Sequence, residues 1–324
     1  MRDHGGDLAR AQAIYGAGGW LDLSTGINPV AFPMPPLPPE ALSRLPDRDA
    51  LTALEQAAQA CYDTTAPVVA LAGAQAAIQL VPRLRAPGSA RVLGPTYNEH
   101  AGALAAQGWA VEQVAIPDAL AGADLAVVVN PNNPDGRVLD RARLFALRDR
   151  VGLLVVDESF GDVMPDMSLA PHVSGAEDRM IVLRSFGKFF GLAGLRLGFA
   201  IAGAEDADAL RALAGPWAVS GPALVAGQAA LADTDWQAAA RARLSQDAAR
   251  LDGIAARAGW AFVGGTDLFR TYHTPAAQAA QAQLAHGHVW SRIFPYSAQW
   301  LRLGLPAPAG WDQVERAILA KGTA

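Results

Sequence analysis

Between Val68 and Ala202 the sequence alternates short apolar runs with helical stretches, and that alternation most constrains the fold. Val68–Leu71, Arg91–Leu93, Leu125–Val129, Gly152–Val156, Met180–Leu183 and Leu197–Ala202 read as strands. The run Leu125–Val129 is wholly apolar, as expected of a strand covered on both faces. Helical patterns fill residues 76–84, 99–107 and 140–150. Strands alternating with helices predict an α/β domain with a mostly parallel sheet. In such sheets ligands bind at the carboxyl ends of the strands. Gly73, Ala74, Gln75, Tyr97, Asn133, Asp157 and Ser185 all fall at or just after strand ends, which predicts that they collect along one edge.

One of these strands leads into Ser185-Phe186-Gly187-Lys188-Phe189-Phe190-Gly191, an apolar, glycine-rich stretch with a lysine at its centre. A charged lysine in such a setting is costly without a partner or a covalent task, and a lysine amine can attack a carbonyl to form a Schiff base. Ser185 and Arg196 flank it with a hydroxyl and a guanidinium, groups suited to a phosphate. A surface lysine on a glycine-rich loop would leave the same local pattern, so distant residues must decide.

The chain has 324 residues, 51% hydrophobic and 18% charged, which is a globular composition. With a net charge of −5, it has no basic surplus to suggest nucleic acid as a partner. Cys61 is the single cysteine, so no internal disulfide forms and a cytoplasmic setting is expected. No signal-peptide core and no uninterrupted run of about 18 apolar residues appears, so neither export nor a membrane span is expected. His286-Gly287-His288 lacks nearby acidic or thiol partners, and no metal site is predicted there.

Residues 1–40 read as an arm, with a short helix over 8–15 and an extended proline-rich run over 33–39. Residues 41–212 are predicted to form the large domain. Residues 213–324 join the arm in a smaller α+β domain, with helices over 223–232 and 234–258 and strands over 260–263, 268–272, 289–293 and 300–303.

Four motifs then match a known family in its order. Asn132-Asn133-Pro134-Asp135-Gly136 is similar to an Asn-Pro-Thr-Gly turn, Asp157-Glu158-Ser159-Phe160 to Asp-Glu-x-Tyr, Ser185-Phe186-Gly187-Lys188 to Ser-x-x-Lys, and Gly194-Leu195-Arg196-Leu197-Gly198 to Gly-Leu-Arg-x-Gly. With them, nearly the whole chain resembles the fold-type-I pyridoxal 5′-phosphate (PLP) enzymes of the aspartate-aminotransferase superfamily. The resemblance implies that Lys188 forms the Schiff base and shuttles protons. Asp157 pairs with the pyridine nitrogen, and Asn133 donates to the ring's phenolic oxygen. Ser185, Arg196 and the backbone at Ala74 and Gln75 hold the phosphate, and Tyr97 stacks on the ring. It also implies a homodimer. Two positions depart from the pattern: Phe160 replaces a tyrosine that donates to the phenolic oxygen, and Leu45 replaces one that reaches the neighbouring subunit's phosphate.

Two branches of that superfamily are similar in size, histidinol-phosphate aminotransferase and the threonine-phosphate decarboxylase group of cobalamin synthesis. His4-Gly5-Gly6, Asp22-Leu23-Ser24-Thr25-Gly26-Ile27-Asn28-Pro29 and Pro216-Trp217-Ala218-Val219 resemble segments of the second. That resemblance implies decarboxylation of L-threonine O-3-phosphate to (R)-1-aminopropan-2-yl phosphate, with Arg302 binding a substrate anion and His4, Asn28 and Arg292 assisting. The alternatives are an aminotransferase and, in a different class, a protein that keeps PLP without turnover.

Overall fold

The computed structural model describes residues 4–175 and 178–320. They fall into two compact units, one of Phe32–Asn133 and Val138–Trp236, the other of Met1–Ala31, Pro134–Arg137 and Gln237–Ala324. The strands in chain order are β1 (Leu21–Asp22), β2 (Val68–Leu71), β3 (Ser89–Leu93), β4 (Ala110–Val114), β5 (Leu125–Val129), β6 (Leu153–Asp157), β7 (Met180–Ser185), β8 (Gly198–Ile201), β9 (Ala261–Thr266), β10 (Phe269–His273), β11 (Val289–Trp290), β12 (Arg292–Phe294) and β13 (Ser297–Gly304).

In the larger unit β2 to β8 form one sheet in the order β2-β8-β7-β6-β5-β3-β4. Only β8 runs against its neighbours. Strands β5 and β6 are buried at every residue, as expected of the apolar runs Leu125–Val129 and Leu153–Val156. The helix Arg48–Cys61 starts at Asp47, whose carboxylate accepts from the amide of Ala50 at 2.7 Å. It packs on the helix Gly221–Ala232 at Gly227, where a β-carbon would lie 2.6 Å from Leu54 Cδ1. That contact needs a residue without a side chain.

Register aligns the functional edge. Val129 pairs with Asp157, Asp157 with Leu183, Ser185 with Gly198, and Leu71 with Gly198. The ends of β2, β5, β6 and β7 and the start of β8 therefore lie along one side of the sheet.

The smaller unit holds an antiparallel sheet, β12-β13-β10-β9, while β1 pairs in parallel with β11. The single strand expected over residues 289–293 is divided at Ser291, which is buried, so that β11 joins β1 and β12 joins β13. Two helices in this unit, Ala277–His286 and Trp311–Leu319, are additional to the elements read from sequence. The segment Pro134–Arg137 lies close against β9: Gly136 takes φ +67°, and a β-carbon at Gly264 would collide with the carbonyl of Asp135. Among the described residues, no helix is long and apolar enough to cross a membrane.

Candidate active site

Asp157 ends β6 with its side chain buried. Its Oδ2 lies 2.7 Å from His100 Nε2, and its Oδ1 accepts from the amide of Ser159 at 2.9 Å. Burial pushes this carboxyl up, but the His100 and Ser159 contacts outweigh burial and hold it below the usual carboxylate range. His100 was not among the residues singled out from sequence. It comes from the first turn of the helix Glu99–Ala106, and its ring meets that of Tyr97, three residues earlier, edge-on at 6.4 Å. No local pattern marks it, because its partner Asp157 is 57 residues away.

Lys188 sits on the short helix Phe186–Phe189 that follows β7. Its Nζ stands 5.6 Å from the centre of the buried Phe160 ring, within cation–π range. Phe186 and Phe189 are buried, and Phe190 stacks on Phe186 at 4.5 Å. The lysine thus rises from an aromatic base, and Phe160 adds a wall without a hydroxyl.

Across β8 the chain forms a cradle. Gly73 has φ +82°, and a β-carbon there would sit 2.8 Å from Arg196 Nη2. A β-carbon at Gly198 would collide with the amide nitrogen of Ala74. The start of the helix Ala74–Leu80, the Arg196 guanidinium and Ser185, which pairs with Gly198, therefore lie near one another, with glycines where β-carbons would crowd them. Amides of a first helical turn lack intrahelical acceptors, so these donors and the cation suit an anion. Gln75 also accepts from the Tyr97 hydroxyl at 3.2 Å and donates to Glu99 at 3.0 Å, which fixes the Tyr97 side chain. Asn133, half-buried, follows β5. Its neighbour Asn132 is pinned by Thr96 Oγ1 at 2.6 Å and by donation to the Pro95 carbonyl at 3.0 Å.

Behind this edge lies a charged cluster that the sequence reading passed over. Arg184 of β7, 2% exposed, reaches Glu158 and Asp162, each at 2.6 Å, and its guanidinium lies 4.4 Å from the centre of the Tyr62 ring. Ser168 and the amide of Leu169 also donate to Glu158.

The other four predicted residues lie in the smaller unit. Arg292 and Arg302 are direct partners across β12 and β13. Like charges so placed repel. Burial, and after it the neighbouring Arg292, push the Arg302 guanidinium down to about 9. Arg302 Nη2 donates to the Ser24 carbonyl at 2.7 Å. Two adjacent guanidiniums, one of them buried, are chemically suited to an anionic ligand. Asn28 is buried, and its Oδ1 accepts from Arg243 at 2.6 Å and from the amide of Val30 at 3.0 Å. Arg243 is a further residue not found from sequence. His4 is exposed on the arm.

Residues 39–320 match the family described as aminotransferase class I and II. Over 96% of this chain and 95% of the relative, the sequence is 46% identical to a threonine-phosphate decarboxylase from Sinorhizobium sp.. A threonine-phosphate decarboxylase from Pseudomonas aeruginosa is 43% identical over 98% of both chains. Among solved structures, a histidinol-phosphate aminotransferase from Sinorhizobium meliloti, in complex with pyridoxal-5′-phosphate, superposes with a TM-score of 0.83 at 20% identity, covering 96% of this chain and 92% of that one. An L-threonine-O-3-phosphate decarboxylase from Porphyromonas gingivalis does so with a TM-score of 0.75 at 18% identity, covering 91% and 97%. These structural likenesses show the shared fold of PLP-dependent aminotransferases, and the sequence match places the chain: it belongs to the aminotransferase class I and II family.

Proposed function

We propose that the protein is a PLP-dependent decarboxylase that converts L-threonine O-3-phosphate to (R)-1-aminopropan-2-yl phosphate and CO₂, a step of cobalamin biosynthesis. The observation that carries this reading is the likeness to threonine-phosphate decarboxylases along nearly the whole of both chains. The Arg292–Arg302 pair gives it a physical basis, since the substrate has two anionic groups, a carboxylate and a phosphate.

Donors of the kind that PLP needs, carried by the larger unit, support this reading. Ser185, Arg196 and the amides of Ala74 and Gln75 would take its phosphate, in a cradle that β-carbons at Gly73 and Gly198 would crowd. Asp157, held ionised, would keep the ring nitrogen protonated; Asn133 would donate to the phenolic oxygen, and Tyr97 would cover the ring face. When bound, the cofactor supplies an electron sink for the pair released when a bond at the substrate α-carbon breaks.

This chain's residues then decide which bond that is. Arg302 and Arg292, helped by His4 and Asn28, hold the substrate's anions so that the carboxylate leaves as CO₂. CO₂ departs without the bonding pair, and Lys188 would deliver the proton that takes the carboxylate's place on the α-carbon. Phe160 cannot donate to the phenolic oxygen, which leaves Asn133 as the donor in that role.

The enzyme is proposed to act in the cytoplasm as a homodimer. Leu42, Leu45 and Trp217 of the larger unit are exposed near the start of Gly221–Ala232, an apolar surface that a second copy would cover. A screen of phosphorylated and plain amino acids, reading CO₂ and keto-acid together, tests the reaction. Release of CO₂ from L-threonine O-3-phosphate is expected; amino transfer to 2-oxoglutarate would instead make the protein an aminotransferase.

A further inference from the structure

We propose that Ser24 is a positioning residue for the substrate's anion: its carbonyl orients Arg302 while its hydroxyl clamps the His4-Gly5-Gly6 segment beside it, so that Ser24 sets affinity for the phosphate group. This rests on the reading of Arg302 as an anion-binding residue.

The geometry begins with Asp22. Its Oδ1 accepts from both the amide of Ser24, at 2.9 Å, and the Ser24 hydroxyl, at 2.5 Å. A hydroxyl has a single proton to donate. With that proton on Asp22, Ser24 Oγ faces the amide of Gly6 as acceptor, at 2.7 Å. The direction of each bond is thereby fixed, and the buried Ser24 side chain joins two stretches 18 residues apart.

The backbone around Ser24 is pinned on both sides. Leu21 and Leu23 donate to the carbonyls of His288 and Trp290 at 2.9 and 2.8 Å, and Gly304 donates to Leu23 at 2.7 Å. Those partners belong to β11 and β13 or adjoin them, close in sequence to Arg292 and Arg302. The Ser24 carbonyl consequently has a fixed position, and Arg302 Nη2 donates to it at 2.7 Å. A guanidinium is a planar fork, so fixing one arm fixes the direction in which the others point.

Gly5 and Gly6 are the residues that this clamp tolerates. A β-carbon at Gly5 would lie 2.5 Å from the Ser24 carbonyl oxygen, and Gly6 takes φ +90°. His4 precedes this clamped pair directly, so the same hydroxyl also limits where His4 can be. Tyr296 and, after it, Asp22 partly offset the burial of Arg302.

Ser24→Ala removes the clamp but keeps the carbonyl, whereas Gly5→Ala presses on the carbonyl from outside. Each is compared with wild type as PLP-loaded protein, by calorimetric titration with inorganic phosphate and by steady-state kinetics with L-threonine O-3-phosphate. Both variants are expected to weaken phosphate binding and raise KM by about 10-fold, the scale of one buried hydrogen bond lost. The visible absorbance of the cofactor and kcat should change far less. Unchanged phosphate affinity in both variants overturns the proposal, as does a parallel loss of kcat, cofactor absorbance and Tm, which would mark Ser24 as merely structural. Should wild type release no CO₂ from this substrate, the decarboxylase reading fails, and the phosphate titration still decides the role of Ser24.

Discussion

Asp157 is sealed from water, and an isolated carboxyl in that position would hold its proton. His100 and Ser159 reverse that preference. A carboxyl whose folded pKa lies below its unfolded value stabilises the fold above the unfolded value, near pH 4, and loses that contribution as pH falls through the folded value. Replacing His100 by Phe removes the stronger partner and leaves burial dominant. We expect His100→Phe to move the acid-unfolding midpoint, followed by circular dichroism, to higher pH, and to cost about 1–3 kcal/mol at neutral pH. An unchanged midpoint would mean that Ser159 alone holds Asp157 ionised.

Elements meet at this site through charge as well as through the sheet ladder. Arg184 of β7 bridges Glu158, just past the end of β6, and Asp162 of the following turn, next to the two strand ends that carry Asp157 and Ser185. Removing one member of a buried ion network strands the others. Arg184→Met should therefore lower unfolding free energy by about 3–5 kcal/mol in a denaturant titration. A loss below about 1 kcal/mol, the value of a surface pair, would contradict this. The elements themselves were unevenly legible in the sequence. Strands β5, β6 and β7 could be read because both of their faces are buried and their residues say so. The helix Ala277–His286 alternates alanine with glutamine and carries no strong apolar stripe, so nothing in its pattern announces it. The helix Trp311–Leu319 does carry one, at Trp311, Val314, Ala317 and Ile318. The break at Ser291 follows from two sheets competing for one run of residues, which local pattern cannot express. The site divides in the same way. Lys188, Asp157 and Arg196 can be proposed from motifs in order, whereas His100, Arg184 and Arg243 are defined by partners 57, 26 and 215 residues away.

At the scale of the whole molecule, the predicted cofactor residues all lie in the larger unit, and His4, Asn28, Arg292 and Arg302 lie in the smaller one. The proposed dimer belongs to this scale as well. Trp217→Glu combined with Leu42→Glu should shift the mass seen by light scattering from two chains to one, and a mass unaffected by the pair would place the interface elsewhere. The central claim is that the bond broken is the one to the carboxylate. Its most direct measurement is turnover of L-threonine O-3-phosphate by the PLP-loaded enzyme in deuterated water, with CO₂ and product quantified together. The account predicts one CO₂ per substrate consumed and one deuterium on the amine-bearing carbon of (R)-1-aminopropan-2-yl phosphate. A keto-acid product that retains the substrate's carboxylate, with no CO₂ released, would contradict it.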